Sequence, residues 1–277
     1  MSALVSRRAF REARPFGHAV IDGFLPPADF AALSAEAAAL PARARADGYE
    51  ARLLARDLRR AGPSASALDA ALRSPALLAR VAAATGEKDL IRDPESRCGG
   101  VFRDAHGSVL EPHLDVNCTV AGRRRRATLI LYLHPRWERA WGGRLELYAD
   151  PARSPARAIE PAPNRAVLLA SNERSWHGIE RIELPPSARA LGRRALIVNF
   201  YGVARAPRHL NTFVPRDPAR RREALRELRA LELAARPRAP RPLPDAAPAA
   251  AVAAELRRLY CAELGYRELL ARRGARP

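Results

Sequence analysis

Lysine is almost missing from this sequence: of 48 basic residues only Lys88 is a lysine, and all the others are arginine. The formal net charge is +18, a value that would fit a nucleic-acid partner. Basic arms that bind nucleic acid usually mix lysine with arginine, however, and this chain is also rich in alanine and proline. The charge therefore indicates compositional bias, and we do not expect a nucleic-acid partner.

Cysteine is scarce as well. The three cysteines, Cys98, Cys118 and Cys261, are far apart and form no CxxC pair, which argues against a disulfide framework and a thiolate zinc site. Long apolar runs are missing too, since none approaches the ~18 residues of a membrane helix. The first residues include no apolar segment and no small-residue cleavage site. We therefore predict no signal peptide, no membrane partner and a cytoplasmic protein.

Along the chain, predicted helices give way to a series of predicted strands. Residues 17–40 predict a short strand, a turn and a helix that starts at Pro26 and Pro27, and further helices are predicted around 49–60 and 66–85. Eight β-prone runs follow: CGGVFRD, SVLEPH, ATLILYLH, GRLELYA, RAIEP, RAVLLAS, WHGIERI and RRALIVNFYG. This order favours a mainly β fold with α-helices, in which N-terminal helices pack outside a double-stranded β-helix (jelly roll).

The last quarter of the sequence has a different composition. We predict a jelly-roll domain over 1–208 and a helical C-terminal extension over 209–277, with a Pro-rich linker near 236–248. The extension either packs on the core or joins two copies into a homodimer through its helices, and the sequence does not separate these alternatives.

A histidine and an aspartate two positions apart raise the question of a metal site. On a strand, His113 and Asp115 would point to the same side. His177 opens another predicted strand, 62 residues after Asp115, and four other predicted strands lie between them. Two histidines and one carboxylate form the facial triad of non-haem Fe(II) oxygenases.

An arginine follows at the start of the last predicted strand, RRALIVNFYG. A guanidinium fork suits the terminal carboxylate of a small dicarboxylic acid. Strand parity places Arg193 on the same face as Ala195, and Arg194 on the opposite face with Leu196 and Val198.

In this order, these residues resemble the 2-oxoglutarate/Fe(II)-dependent dioxygenases. The sequence YLHPRWERAWGG (132–143) resembles the prolyl-hydroxylase branch, in which a strand ending Tyr-Leu-Asn is followed by a tryptophan and a Gly-Gly pair. VIDGFLPP resembles the first strand of that branch. The resemblance covers about residues 17–205.

The resemblance implies a ligand set. Fe(II) would be bound by His113, Asp115 and His177, and 2-oxoglutarate would chelate the metal while its far carboxylate meets an arginine and a tyrosine. The family pattern Arg-x-(Ser/Ala) selects Arg193 for this role, and the family position selects Tyr132. The reaction consumes O₂ and gives succinate, CO₂ and a hydroxylated product, with ascorbate as an accessory reductant.

The substrate is less defined. A carboxylate at position 115 favours hydroxylation, because related halogenases carry Gly or Ala there. The branch favours a prolyl or similar residue in a protein or peptide, and a small molecule is the alternative. A nucleic-acid demethylase is disfavoured because that branch has an arginine at the position of Asn199. A jelly-roll binding module that does not use its metal site is the non-enzymatic alternative.

Two features near these motifs have open interpretations. We predict that Arg123–Arg126 form a solvated hairpin loop, with a basic lip facing the substrate as the alternative. His134 replaces the asparagine of the family's Tyr-Leu-Asn and could point into the pocket. Trp137, Trp141 and Trp176 are expected to be packing residues.

Overall fold

The structure is a computed structural model, and it describes residues 5–40, 53–55, 57–93, 99–115, 119–120, 123–151 and 153–203. The predicted extension over 209–277, its linker and all three cysteines lie outside these residues. Within the described ranges, no helix is long and apolar enough to cross a membrane.

Four α-helices lie in the N-terminal part of the chain: α1 (Arg7–Glu12), α2 (Pro27–Ala39), α3 (Pro63–Arg73) and α4 (Pro75–Thr85). The last three begin at a proline. Proline is well tolerated in the first turn, because its missing N–H would have no partner there and its fixed φ suits the helix. The helix predicted to start at Pro26 and Pro27 is therefore present.

The helix predicted over 66–85 is instead two helices. Ser74 has an extended backbone (ψ 141°) directly before Pro75, which is the conformation that a residue before proline prefers. The Ser74 hydroxyl accepts a hydrogen bond from the backbone N–H of Leu77 at 3.2 Å and caps α4. The proline thus divides a continuous helical pattern.

Twelve strands occur in the described residues: β1 (His18–Ile21), β2 (Leu53–Ala55), β3 (Ile91–Arg92), β4 (Gly100–Asp104), β5 (Leu110–His113), β6 (Thr119–Val120), β7 (Arg123–Tyr132), β8 (Leu145–Tyr148), β9 (Arg157–Ile159), β10 (Ala166–Ala170), β11 (Trp176–Ile179) and β12 (Arg193–Gly202). The eight predicted strand runs and the strand in 17–40 are all present. Three short strands, β2, β3 and β6, were not predicted.

The strands form two antiparallel sheets. The larger sheet has the order β1-β10-β7-β12-β4-β2, with β3 beside β12 and β6 beside β7, and the smaller sheet has the order β5-β11-β8-β9. The helix predicted over 49–60 is wrong, because Leu53–Ala55 pair with β4 as a strand and Leu58–Arg60 form a 3₁₀ turn. Pairing with a sheet edge outweighs the local helical pattern there.

The larger sheet is buried on both faces. On β7, Leu129 and Leu131 pack with the helices, whereas Ile130 and Tyr132 pack with Leu147 of the smaller sheet. This alternation follows from the two-residue period of a strand. The predicted jelly roll with helices outside it is confirmed, and its interior lies between the two sheets.

Candidate active site

Two histidines face each other where β5 and β11 pair. His177 lies directly opposite His113 in the register, and their ring centroids are 4.3 Å apart. The Nδ1 atom of His113 is 2.9 Å from the Glu111 carbonyl oxygen, and that of His177 is 2.8 Å from the Ser175 carbonyl oxygen. Because a carbonyl oxygen only accepts, each Nδ1 carries a proton, and in a neutral ring each Nε2 presents its lone pair.

Asp115 lies beside both rings, although β5 has already ended at His113. Its Oδ1 is 3.8 Å from Nε2 of His113, and its Oδ2 is 3.6 Å from Nε2 of His177. One potential ligand atom from each residue lies within 4.8 Å of the others. Two imidazole nitrogens and one carboxylate oxygen fit the facial triad, which leaves three adjacent positions open for other ligands.

A buried arginine, Arg125, contacts this aspartate. Its Nη1 lies 2.7 Å from Oδ2 of Asp115, and the Arg125 side chain is 5% exposed. Burial by itself raises the pKa of Asp115, but the charge of Arg125 and the interactions with His113 and His177 outweigh it. The pKa of Asp115 therefore lies well below its usual value, and the residue is an anion at neutral pH.

The prediction of a solvated loop at Arg123–Arg126 is wrong, because β7 begins at Arg123. A bulge opposite Phe200 and Tyr201 inserts one extra residue into β7. Inward-facing side chains therefore change from even to odd positions at the bulge, and Arg125 points toward Asp115. Arg126 instead forms an ion pair with Glu87 at 2.7 Å. No local pattern in the sequence shows the bulge, so Arg125 was missed.

A second polar cluster surrounds Arg193, which is 2% exposed. Its Nη1 lies 3.0 Å from Oδ2 of Asp104, its Nε donates to the Gly143 carbonyl at 2.8 Å, and its Nη2 donates to the Tyr132 hydroxyl at 3.2 Å. Gly143 has φ +71° and a Cβ there would lie 3.2 Å from Cδ of Arg193, so glycine permits this close approach. Asp104 faces Arg193 across β4 and β12, and sequence reasoning missed it.

The two adjacent arginines of β12 lie on opposite faces, as strand parity predicted. Ala195 packs with Tyr132 between the sheets, whereas Leu196 and Val198 pack beneath the helices. Arg193 is therefore the arginine in the interior, and Arg194 lies on the helix-covered face.

A buried polar pair lies between the two clusters. Moving along β7 from Tyr132 toward Arg125, the inward-facing side chains include Thr128, whose hydroxyl donates to Oδ1 of Asn199 at 2.9 Å. Both residues are at most 5% exposed. A single interior wall thus joins the two clusters, with polar groups near the aspartate and aliphatic groups near the tyrosine.

His134 belongs to neither cluster. It is fully buried, its Nε2 donates to the Pro161 carbonyl, and its ring lies 4.6 Å from Trp137 and 5.9 Å from Tyr132 between centroids. Burial lowers its pKa to about 4, so the ring is neutral at pH 7. The hydrogen bond to the Pro161 carbonyl is therefore a structural contact within the core.

Comparison with known proteins relates this geometry to a family. Residues 100–202 match the model described as the 2OG-Fe(II) oxygenase superfamily, and this range contains all the residues of both clusters. The part of the chain that contains both clusters is thus similar to the 2OG-Fe(II) oxygenase superfamily. The protein is accordingly an Fe(II)- and 2-oxoglutarate-dependent dioxygenase. The search of curated proteins gave no match.

Solved structures of 2OG oxygenases share its fold. A prolyl-4-hydroxylase from Pseudomonas putida is 19% identical, with a TM-score of 0.51 over 71% of this chain and 98% of that one. A prolyl hydroxylase from Trichoplax adhaerens, in complex with a hypoxia-inducible-factor peptide, is 17% identical, with a TM-score of 0.51 over 70% and 87%. HygX from Streptomyces hygroscopicus, with nickel and 2-oxoglutarate bound, is 15% identical, with a TM-score of 0.51 over 79% and 94%.

The close approach of β5 and β11 in this oxygenase depends on Gly178. A Cβ there would lie 2.6 Å from the Leu110 carbonyl oxygen and 3.2 Å from the backbone nitrogen of Pro112. These are backbone atoms, so a side chain at position 178 would force β5 and β11 apart. We expect Gly178→Ala to weaken Fe(II) binding by about tenfold or more, measured by anaerobic titration. Ile179→Val is the matched control on the same strand. Unchanged Fe(II) affinity in a folded Gly178→Ala protein would show that this close strand approach does not position the metal ligands.

The buried neutral His134 should make stability depend on pH. Its folded pKa, about 4, lies below the ordinary value near 6.5, so between these values the unfolded chain binds a proton that the folded chain does not. Stability is therefore lost as pH falls from 6.5 toward 4, by up to about 3 kcal/mol. His134→Gln keeps an N–H donor and cannot titrate. Urea unfolding of metal-free protein at several pH values should give a shallower dependence for the variant, and identical dependences would refute the assignment.

Proposed function

We propose that His113, Asp115 and His177 bind Fe(II), that Arg193 and Tyr132 bind the far carboxylate of 2-oxoglutarate, and that the enzyme hydroxylates a prolyl residue in a protein or peptide. When bound, Fe(II) and 2-oxoglutarate supply the oxidation, in which one oxygen atom of O₂ enters succinate, the other enters a C–H bond of the substrate, and CO₂ leaves. The protein's part is to hold these groups in one geometry.

The observation that carries this proposal is the single buried wall between the two clusters. On the inner face of β7, Tyr132 contacts Arg193 at one end and Arg125 contacts Asp115 at the other. A small dicarboxylic acid has one acidic group for each end. The wall therefore supports one pocket that holds both the metal and the cosubstrate.

The cosubstrate end has hydrogen-bond donors to spare. Arg193 has five N–H groups, and its contacts to Asp104, Gly143 and Tyr132 use three of them. Tyr132 accepts from Arg193, so its own O–H remains a donor. Burial raises the pKa of Tyr132, which keeps that proton in place. The remaining guanidinium donors and the phenol proton suit a carboxylate.

At the metal end, Arg125 holds one oxygen of Asp115. The contact to Oδ2 favours a carboxylate that offers its other oxygen, Oδ1, to the metal. Binding through a single oxygen preserves the three open positions of a facial triad, which the chelating cosubstrate and O₂ require. Such contacts to a ligand's second atom orient it and tune its donor strength.

The cosubstrate role of Arg193 is tested best in a background without Asp104's charge. Removing Arg193 alone would leave a buried carboxylate unpaired and would destabilise the protein. We therefore compare Asp104→Asn with the Asp104→Asn, Arg193→Gln double variant. Loss of a charge-assisted carboxylate contact costs about 2–5 kcal/mol, so the half-saturating 2-oxoglutarate concentration should rise by about 30-fold or more.

Two variants sharpen this comparison. With Arg193→Lys, the half-saturating 2-oxoglutarate concentration should lie between those of the arginine and glutamine proteins. Lysine keeps the positive charge and loses the planar fork of donors. Arg194→Gln, on the opposite face of β12, should leave that requirement within about threefold of wild type. Succinate formation is the readout, with Fe(II) affinity as a check on the metal site. If the half-saturating 2-oxoglutarate concentration rose in the Arg194 variant and not in the Arg193 variants, the cosubstrate would bind on the other face of the sheet.

Support for a prolyl substrate comes from the YLHPRWERAWGG segment, which resembles the prolyl-hydroxylase branch. Two neighbours that share the fold are described as prolyl hydroxylases, one of them in complex with a peptide. A small molecule is the second candidate substrate, as the sequence left it, and HygX shares the fold. The proposed catalytic domain, 1–208, contains every residue invoked.

A substrate screen distinguishes the two. Proline-containing peptides and a panel of free amino acids and other small molecules are each incubated with enzyme, Fe(II), 2-oxoglutarate and O₂. We expect a mass increase of about 16 Da on a prolyl residue, absent from the His177→Ala variant. Oxidation confined to small molecules would refute the peptide proposal and leave the dioxygenase assignment intact, because succinate would still form.

A further inference from the structure

Four arginines are buried in the described part of the chain, and Arg194 differs from the rest. The other three each have a carboxylate oxygen at 3.0 Å or less: Arg92 with Asp69, Arg125 with Asp115, and Arg193 with Asp104. Arg194 is 8% exposed, yet its guanidinium makes no ion pair with any described residue. Buried charges in proteins are otherwise paired.

The neighbour of Arg194 adds to the positive charge. Arg103 lies directly opposite it across β4 and β12, on the helix-covered face of the larger sheet. Nη2 of Arg103 donates to the backbone carbonyls of Arg189 and Ala190. Its Nε is buried, with no hydrogen-bond partner in the described residues. Like charges placed directly opposite on neighbouring strands repel.

The electrostatics of the pair point to a missing counter-charge. Burial lowers the pKa of Arg194, and the positive charge of Arg103 lowers it further. Both effects oppose the charged form, yet an arginine remains protonated in proteins. A bound anion would offset the cost of burying Arg194 and its repulsion from Arg103 at the same time. Among the described residues, a protein carboxylate supplies the counter-charge for each of the other three buried arginines. No described carboxylate does so for this pair.

We propose that Arg103 and Arg194 bind a small oxyanion, a phosphate or carboxylate group, on the helix-covered face of the larger sheet. Arg194 offers its guanidinium donors, and Arg103 offers Nε while its Nη2 stays on the loop carbonyls. The two guanidinium groups suit oxyanion oxygens. This site is distinct from the cosubstrate pocket, because Arg193 points to the opposite face of β12. The bound anion fixes the 189–192 turn against β4, next to the start of β12.

The test is thermal unfolding of the full chain in phosphate and, separately, in acetate. Ionic strength is held constant with chloride, so that general screening does not change. We expect the melting temperature of the wild type to rise by about 2–4 °C with one of the two anions. Arg194→Leu should lose this rise. In chloride alone, Arg194→Leu should melt at or above the wild-type temperature, because an uncompensated buried charge has been replaced by an apolar side chain.

Controls keep the result specific. Arg153→Gln removes an arginine whose side chain is 83% exposed and should retain the full response. Arg103→Gln should lose the response, and Arg194→Gln replaces Arg194→Leu if the leucine variant does not fold. The proposal is overturned if neither anion stabilises the wild type beyond chloride. It is also overturned if the response survives in the Arg194 variants, or is lost in Arg193→Lys while the Arg194 variants keep it.

Discussion

The antiparallel register of β11 against β5 is the constraint on which the candidate active site depends. It sets His177 directly opposite His113, and backbone carbonyls orient both rings so that their Nε2 atoms share one space. Gly178 permits the close strand approach that this register needs. A shift of one residue would send one imidazole to the other face of the sheet. The geometry therefore comes from strand pairing first and from ligand chemistry second.

Arginine serves in place of lysine throughout this interior. Buried arginines meet carboxylates at each end of the pocket wall, through Arg125 on Asp115 and Arg193 on Asp104. A planar fork can satisfy several acceptors while remaining charged, which suits these positions better than an ammonium group. The compositional bias of the sequence is thus not confined to the surface, since part of the charge is used inside the fold.

Much of this could be predicted from the sequence, because the relevant signals are local. The strands have a two-residue pattern and turn residues at their ends, and the metal-site residues have distinctive chemistry and order. What could not be predicted depends on pairing across strands. Arg125 points inward only because of a bulge, and Asp104 meets Arg193 only through the register of β4 against β12. The helix expected at 49–60 failed for the same reason, because a sheet edge recruits Leu53–Ala55.

We propose that one pocket holds the metal and the cosubstrate together. Chelation of Fe(II) by 2-oxoglutarate produces a visible charge-transfer absorption, which anaerobic titration measures without turnover. We expect this absorption to appear in the wild type only when both components are present, to saturate at one Fe(II) per chain, and to be absent from the His177→Ala variant. An absorption of equal strength and stoichiometry in folded His177→Ala would contradict this proposal, because the metal would then be bound elsewhere.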